Sequence, residues 1–130
     1  PVGPHYVILQ ADLTDGERAA LSARADMHLP ELQISDWNAT AALVSALDVV
    51  VTVDTSMAHL AGALGTPTWV LLPYAPDWRW QLQRADSPWY SGVRLFRQSA
   101  PGQWAQPLQA MANALAAWQA STEKARATQR

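Results

Sequence analysis

Residues 48–73 read DVVVTVDTSMAHLAGALGTPTWVLLP, and this stretch decides the fold class. It opens with a β-branched apolar run at 49–53, which is typical of a strand buried on both faces. Thr55 suits a helix N-cap, and apolar residues then recur at helical spacing until a glycine and a proline end the helix. A second apolar run at 68–72 predicts the next strand. The stretch is therefore predicted to form a strand–turn–helix–strand unit of a parallel sheet, whose carboxyl edge is where such sheets bind ligands.

Composition and charge are those of an ordinary globular protein. Hydrophobic residues make up 49% of the chain and charged residues 15%, and the formal net charge is −2. Without a basic run, nothing favours binding to nucleic acid or to an anionic membrane. The chain has no cysteine, which excludes disulfides and thiolate metal sites. No apolar stretch reaches membrane-spanning length and the first residues do not resemble a signal peptide, so we expect a cytoplasmic protein.

Strand and helix patterns alternate along the chain, which predicts an α/β fold: a Rossmann-like, mostly parallel sheet with flanking helices. We expect one domain over residues 1–120 and a polar, flexible tail over 121–130, fraying from Ser121. The last helix should begin near Pro107 and carry an apolar stripe of Trp104, Leu108, Met111, Leu115 and Trp118. Strands are predicted at 5–10, 31–34, 49–53, 68–72 and 93–96, and helices at 14–25, 40–47 and 55–64, with a single turn at 81–84.

The turn after the strand at 49–53 is the strongest candidate for a binding site. A helix start offers unpaired backbone N–H groups and the positive end of the helix dipole, so a phosphate or diphosphate fits there. His59 lies three residues after Ser56 on the same helix face and could donate to the same anion. The plainer alternative is that Thr55 caps a core helix and His59 is a packing residue. The candidate diphosphate-binding residues are Thr55, Ser56, Met57, Ala58 and His59, with Asp54 predicted to organise the turn.

Two other chemistries are disfavoured at this turn. Asp54, Ser56 and His59 resemble a catalytic triad in residue type, but they lie within one turn, whereas triad members converge from distant segments. The Gly-x-Ser-x-Gly elbow is also missing. The three histidines of the chain lack the spacing of a zinc site, so we predict no bound metal.

A second loop, leaving the strand at 68–72, lies at the same predicted edge. Arg79 could pair with a phosphate or carboxylate, and Trp78 or Trp80 could stack on a sugar or base. An equally good alternative is that both tryptophans pack under the loop while Asp77 and Arg79 form a local ion pair.

A third loop on that edge contains Asp36 and Trp37. These two residues could contact a nucleotide base or ribose. A helix cap with a packed tryptophan is the favoured alternative when the residues are taken alone.

The sequence as a whole resembles glycosyltransferase family 9, the heptosyltransferase-like family. The likeness is carried by residues 38–43, 47–61 and 64–73, and it covers roughly residues 5–118. The segment APDWRW at 75–80, together with 87–90 and 94–97, resembles a subgroup found as the last domain of bacterial tetratricopeptide-repeat proteins.

The resemblance implies an incomplete carboxyl-terminal half of a GT-B fold, the half that holds a nucleotide-sugar donor. The donor diphosphate would lie on the helix start matching Thr55, Ser56 and Met57, with His59 nearby. Heptosyltransferases usually have glycine where this chain has Ser56, and a Cβ there crowds the phosphate. The implied reaction is inverting, metal-independent and without a cofactor, and the implied ligand is a nucleoside diphosphate sugar.

The resemblance also implies that parts of the enzyme are absent. The catalytic base and acceptor site of such enzymes come mainly from an amino-terminal domain, so we expect no catalytic residue in this chain and no turnover by it alone. The family also has a strand between those matching residues 6–9 and 49–53, and here we expect a truncated sheet. Such a sheet must re-pair, borrow a strand from another copy, or carry an unsatisfied edge. The expected partners are the missing amino-terminal half or a repeat domain, and a second copy of the chain.

Two alternatives stay open. A transferase-like domain without activity could serve as a scaffold or protein-interaction domain, and an epimerase-like or other nucleotide-sugar enzyme shares the same half-fold. The residues do not identify the sugar, the base or the acceptor.

Overall fold

The computed structural model describes residues 3–30 and 36–129. Its elements form an α/β arrangement with parallel strands in two sheets flanked by helices, as the alternating pattern predicts. The chain divides into two compact units, Pro1–Ala42 and Leu43–Arg130, and each is described by itself.

The amino-terminal unit contains a two-stranded parallel sheet and its connecting helix. Strand β1 (Tyr6–Val7) pairs with β2 (Met27–His28), and helix α1 (Asp15–Ser22) joins them. Thr14 and Glu17 form the capping box that starts α1, and the Thr14 N–H lowers the pKa of the Glu17 carboxyl.

The predicted boundaries of the first elements need correction. The first strand is two residues long rather than six, and β2 was not predicted. Helix α2 (Trp37–Ser45) begins three residues earlier than predicted, because Asp36 caps it. The strand predicted at 31–34 lies outside the described residues.

The carboxyl-terminal unit is built on a three-stranded parallel sheet. Its order is β3–β4–β5, from β3 (Val50–Val53), β4 (Thr68–Leu72) and β5 (Val93–Arg97). Helix α3 (Ser56–Ala63) connects β3 to β4, which confirms the strand–turn–helix–strand unit. Helix α4 (Ala105–Thr128) follows β5.

Both faces of this sheet are covered by apolar side chains. On one face, Trp80 packs with residues of α3, β4 and β5. On the other face, Met111, Leu115 and Trp118 of α4 pack on Trp69 and Phe96, which confirms most of the predicted stripe. The stripe's first two members, Trp104 and Leu108, are exposed instead.

One predicted element in this unit is wrong, and the last helix is longer than its predicted stripe. The helical turn predicted at 81–84 is replaced by a 3₁₀ turn at Trp78–Trp80, which Asp77 caps. Helix α4 continues past Ser121 to Thr128, and the flexibility expected for residues 121–130 stays a prediction. The hydroxyls of Ser121 and Thr122 both donate to the Trp118 carbonyl, which lies one turn earlier in the same helix.

The outer edge of β3 has no strand partner among the described residues. β3 pairs with β4 on one side alone, and Val51 and Val53 are 47% and 49% exposed. Within the described ranges, no helix has the length and apolar character needed to cross a membrane.

Candidate functional site

The start of α3 lacks the side-chain cap that its sequence predicts. Thr55 has the extended conformation of an N-cap residue (φ −140°, ψ 173°), but its hydroxyl makes no capping bond. That hydroxyl lies 3.4 Å from the Val53 carbonyl and 3.3 Å from the Thr52 hydroxyl. The first backbone N–H groups of the helix are therefore left without their usual partner.

The three predicted backbone donors differ in availability. The Ala58 N–H is already donated to the Thr55 carbonyl at 3.0 Å. The N–H groups of Ser56 and Met57 find no acceptor among the described residues, and Ser56 is exposed. Two uncapped amides at the positive end of a helix are well suited to an anion, and the Ala58 N–H is the least available of the three predicted donors.

His59 is held on three sides, and about a third of its side chain is exposed. Its ring stacks on Trp80 at a centroid distance of 5.1 Å and an interplanar angle of 21°. Its Nδ1 lies 3.1 Å from the Tyr90 hydroxyl, and its Nε2 lies 3.8 Å from Oδ1 of Asp54. These contacts fix the imidazole plane and its direction, and the binding of an anion by His59 stays a prediction.

Asp54 has a different neighbour from the one predicted. Within the described ranges its carboxylate makes no hydrogen bond to the backbone of the turn, and Nε2 of His59 lies 3.8 Å from its Oδ1. The predicted turn-organising role of Asp54 stays a prediction.

The loop after β4 forms the local ion pair that was one of its two predicted arrangements. Oδ1 of Asp77 accepts from both the backbone N–H and the guanidinium of Arg79, each at 3.0 Å. These bonds, the backbone one first, lower the pKa of the Asp77 carboxyl, and the charge of nearby His59 adds to the effect. The Arg79 guanidinium also lies over the Trp78 ring, 4.8 Å from its centroid.

The two tryptophans of this loop have opposite environments. Trp80 is fully buried beneath His59, so its ring supports the site from below and is not accessible to a ligand. Trp78 is 68% exposed and meets Trp89, which is 60% exposed, edge to face. The indole N–H of Trp89 donates to the Arg79 carbonyl at 3.1 Å. Two exposed and oriented indole rings therefore stand beside each other.

A pocket of about 360 Å³ opens between these side chains. That volume suits a small ligand, and aromatic walls with a few polar groups are the usual lining of such sites. His59 is one of its walls and lies one turn from the uncapped amides of α3. The pocket is lined by His59, Trp78, Arg79, Trp89 and Tyr90.

Sequence reasoning missed Trp89, Tyr90 and the role of Arg97. The segment containing Trp89 and Tyr90 reads as an ordinary loop, and Arg97 reads as a strand-end charge. The guanidinium of Arg97 instead donates to the carbonyls of Trp80, Gln81 (2.7 Å) and Arg84 (2.8 Å), and burial lowers its pKa. For Tyr90 the available signal was Gly62 inside α3, because a glycine in a helix indicates that another group packs closely against it.

Asp36 and Trp37 belong to the amino-terminal unit. Oδ1 of Asp36 accepts from the N–H groups of Asn38 (2.9 Å) and Ala39 (3.3 Å), as a helix N-cap does. Trp37 is the exposed first residue of α2. The helix cap matches the favoured alternative, but Trp37 is exposed rather than packed. A contact with a nucleotide stays a prediction.

Comparison with known proteins gives one family and one relative of interest. Residues 28–89, just under half of the chain, match the model of glycosyltransferase family 9 (heptosyltransferase). The match includes the uncapped helix start, and four of the five pocket residues lie within it. It supports the resemblance to this family and a relationship to glycosyltransferases.

The relative is Protein FlbA of Caulobacter vibrioides, which is 36% identical over 87 residues. The alignment covers 67% of this chain but 14% of FlbA, so the chain spans a small part of that protein's length. No solved structure matches the chain.

Proposed function

We propose that this chain binds a nucleoside diphosphate sugar as the donor-binding part of an inverting, metal-independent glycosyltransferase. The family match supports the transferase relationship. Donor binding is supported by the geometry around His59. This residue lines the aromatic pocket and lies one helical turn from the two uncapped amides.

In this proposal the helix start holds the diphosphate. The amides of Ser56 and Met57 would donate to its oxygens, and His59 would donate from the next turn. The same donors would stabilise the charge that develops on the departing diphosphate, so the reaction needs no metal ion. The sugar or the base would lie in the pocket beside Trp78 and Trp89.

The proposal assigns no catalytic base to this chain. Transfer requires a group that removes the proton of the acceptor hydroxyl. That group and the acceptor site would belong to another domain, either in the same polypeptide or in a repeat-containing partner. We therefore expect weak donor binding and no turnover by the chain alone.

Calorimetric titration with a panel of nucleoside diphosphates and their sugars tests the proposal. We expect binding of at least one nucleotide, and a loss of about tenfold in His59→Ala, because a charge-assisted hydrogen bond contributes about 1.5 kcal/mol or more. His5→Ala, which removes an exposed imidazole from the other unit, serves as the control. No heat with any member of the panel, in folded protein, would contradict the proposal.

A second candidate, a non-catalytic interaction domain, is favoured by the open edge of β3. Its outward amides and half-exposed valines could pair with a strand from a second copy of the chain. Sedimentation would then show a dimer that Val51→Lys dissociates, since a lysine on an edge strand opposes pairing. The control Thr122→Lys should leave the dimer intact, and a monomer at all concentrations would exclude pairing between copies.

A further inference from the structure

Tyr90 is seated against α3 in a notch made by Gly62. A Cβ built on Gly62 would lie 2.7 Å from Cγ of Tyr90 and 2.9 Å from Cδ2, closer than any side chain tolerates. Glycine is a poor residue for a helix interior. Its presence at this point of α3 is explained by the approach of the tyrosine ring.

Hydrogen bonds to the backbone also fix the loop that carries Tyr90. The buried hydroxyl of Ser87 accepts from the N–H groups of Trp89 (3.1 Å) and Tyr90 (3.4 Å). The Tyr90 carbonyl accepts from the Val93 N–H at the start of β5. Packing of the ring at Gly62 and hydrogen bonds to the loop backbone therefore hold the phenol against α3.

The tyrosine hydroxyl reaches Nδ1 of His59 at 3.1 Å. A neutral imidazole carries one N–H and one acceptor nitrogen, and its partners decide which is which. With the phenol as donor, Nδ1 is the acceptor and Nε2 carries the proton. The carboxylate of Asp54, 3.8 Å from Nε2, favours the same arrangement.

We propose that Tyr90 is a positioning residue that holds neutral His59 as the Nε2–H tautomer. In this tautomer the ring offers an N–H, rather than a lone pair, to an anion at the start of α3. Stacking on Trp80 fixes the plane of the imidazole, and the hydrogen bond from Tyr90 determines which ring nitrogen carries the proton. The consequence for ligand binding depends on the diphosphate site proposed above, but the tautomer itself does not.

The charged groups around His59 come from two segments. Asp54 lies in the turn between β3 and α3, and Asp77 and Arg79 lie in the loop after β4. Protonation of the imidazole would place a hydrogen on both nitrogens and make the phenol oxygen the acceptor. The tautomer is therefore measured at about pH 8, above the ordinary titration range of histidine.

The first measurement is the ¹⁵N NMR spectrum of histidine-labelled protein without ligand. We expect the Nε2–H tautomer for His59, and we expect the Nδ1 resonance to move in Tyr90→Phe because it loses its hydrogen-bond donor. Tyr74→Phe, which removes the hydroxyl of an exposed tyrosine, should leave that resonance unchanged. An Nδ1–H tautomer, or no change in Tyr90→Phe, would overturn the proposal.

The second measurement is a double-mutant cycle on the affinity for whichever nucleoside diphosphate binds. Tyr90→Phe keeps the ring in the Gly62 notch, so we expect a folded protein with affinity reduced about threefold to tenfold. In the His59→Ala background the same change should have no effect, because Tyr90 acts through the imidazole. An equal loss in both backgrounds would show direct contact with the ligand and overturn the positioning role.

The two proposals fail in different ways. If no nucleotide binds, the donor-binding function fails, and the tautomer spectrum alone still decides the role of Tyr90. If a nucleotide binds and His59→Ala weakens it while Tyr90→Phe does not, the positioning role fails and the donor site stands.

Discussion

At the scale of single residues, side chains that the sequence places close together behave largely as predicted. Thr14 and Glu17 form their capping box, and His59 lies one turn from Ser56 on the same helix face. Tyr90 and Arg97 were missed, because their partners lie 31 and up to 17 residues away in the chain. Such contacts depend on how the loops fold back onto the sheet, and no local spacing encodes that path.

Arg97 is the residue whose loss should most disturb the pocket loop. Its fork-shaped guanidinium satisfies three carbonyls around Gln81, a residue in the left-handed region at φ 56°. Lysine cannot reproduce that geometry. We expect Arg97→Lys to destabilise the protein by about 1–2 kcal/mol, or roughly 5 °C in melting temperature.

Thermal unfolding followed by tryptophan fluorescence measures this effect. Arg126→Lys, in the exposed last turn of α4, is the matched control and should melt with the unmutated protein. Equal melting temperatures for Arg97→Lys and the control would mean that the three carbonyl contacts contribute nothing to stability.

At the scale of elements, long periodic segments are predictable and short ones are not. The apolar runs of β3, β4 and β5 and the heptad-like spacing of α4 are present in the sequence and in the structure. The two-residue strands β1 and β2 have no periodicity to detect, because a strand this short is defined by its partner. The 3₁₀ turn likewise depends on Asp77, whose capping role requires a backbone path that the pattern does not reveal.

The 3₁₀ turn that carries the exposed tryptophan should respond to acid. The Arg79 N–H and guanidinium stabilise the ionised form of Asp77, so its pKa is lower in the folded than in the unfolded state. Its stabilising effect is complete above the unfolded pKa and is lost as the pH falls through the folded pKa. We expect the Arg79 amide resonance to shift with a midpoint below the ordinary aspartate value.

The variant Asp77→Asn separates this titration from general acid unfolding. Asparagine keeps an acceptor oxygen for the turn but does not ionise. The Arg79 amide should therefore become insensitive to pH over the same range. A midpoint at or above the ordinary aspartate value in the unmutated protein would show that the cap does not favour the ionised carboxyl.

At the scale of the whole molecule, the fold class was predictable, whereas the pairing of its strands was not. The alternation of strands and helices predicted the α/β class, and the structure has it in two compact units. Which strands pair is decided by hydrogen bonds between distant segments, so the open edge of β3 was one of several expected outcomes. The alignment covers 14% of FlbA, so the activity of a longer protein is proposed here and not assigned to this chain alone.

The proposed seat of the diphosphate is the pair of amides at the start of α3, and one substitution tests it without disturbing the helix. Ser56 is the first residue of α3, where proline is well tolerated, and Thr55 before it already has an extended backbone that suits proline. Ser56→Pro therefore removes one donor N–H while leaving the helix intact. Ser56→Ala removes the hydroxyl alone and is the matched control.

The measurement is the dissociation constant of the best-binding nucleoside diphosphate for the unmutated protein and these two variants. We expect Ser56→Pro to weaken binding by about tenfold or more, since a hydrogen bond to a charged group contributes about 1.5–3 kcal/mol. Ser56→Ala should lose no more than a few-fold. Equal affinity for the proline variant and the unmutated protein, with both folded, would contradict diphosphate binding at these amides.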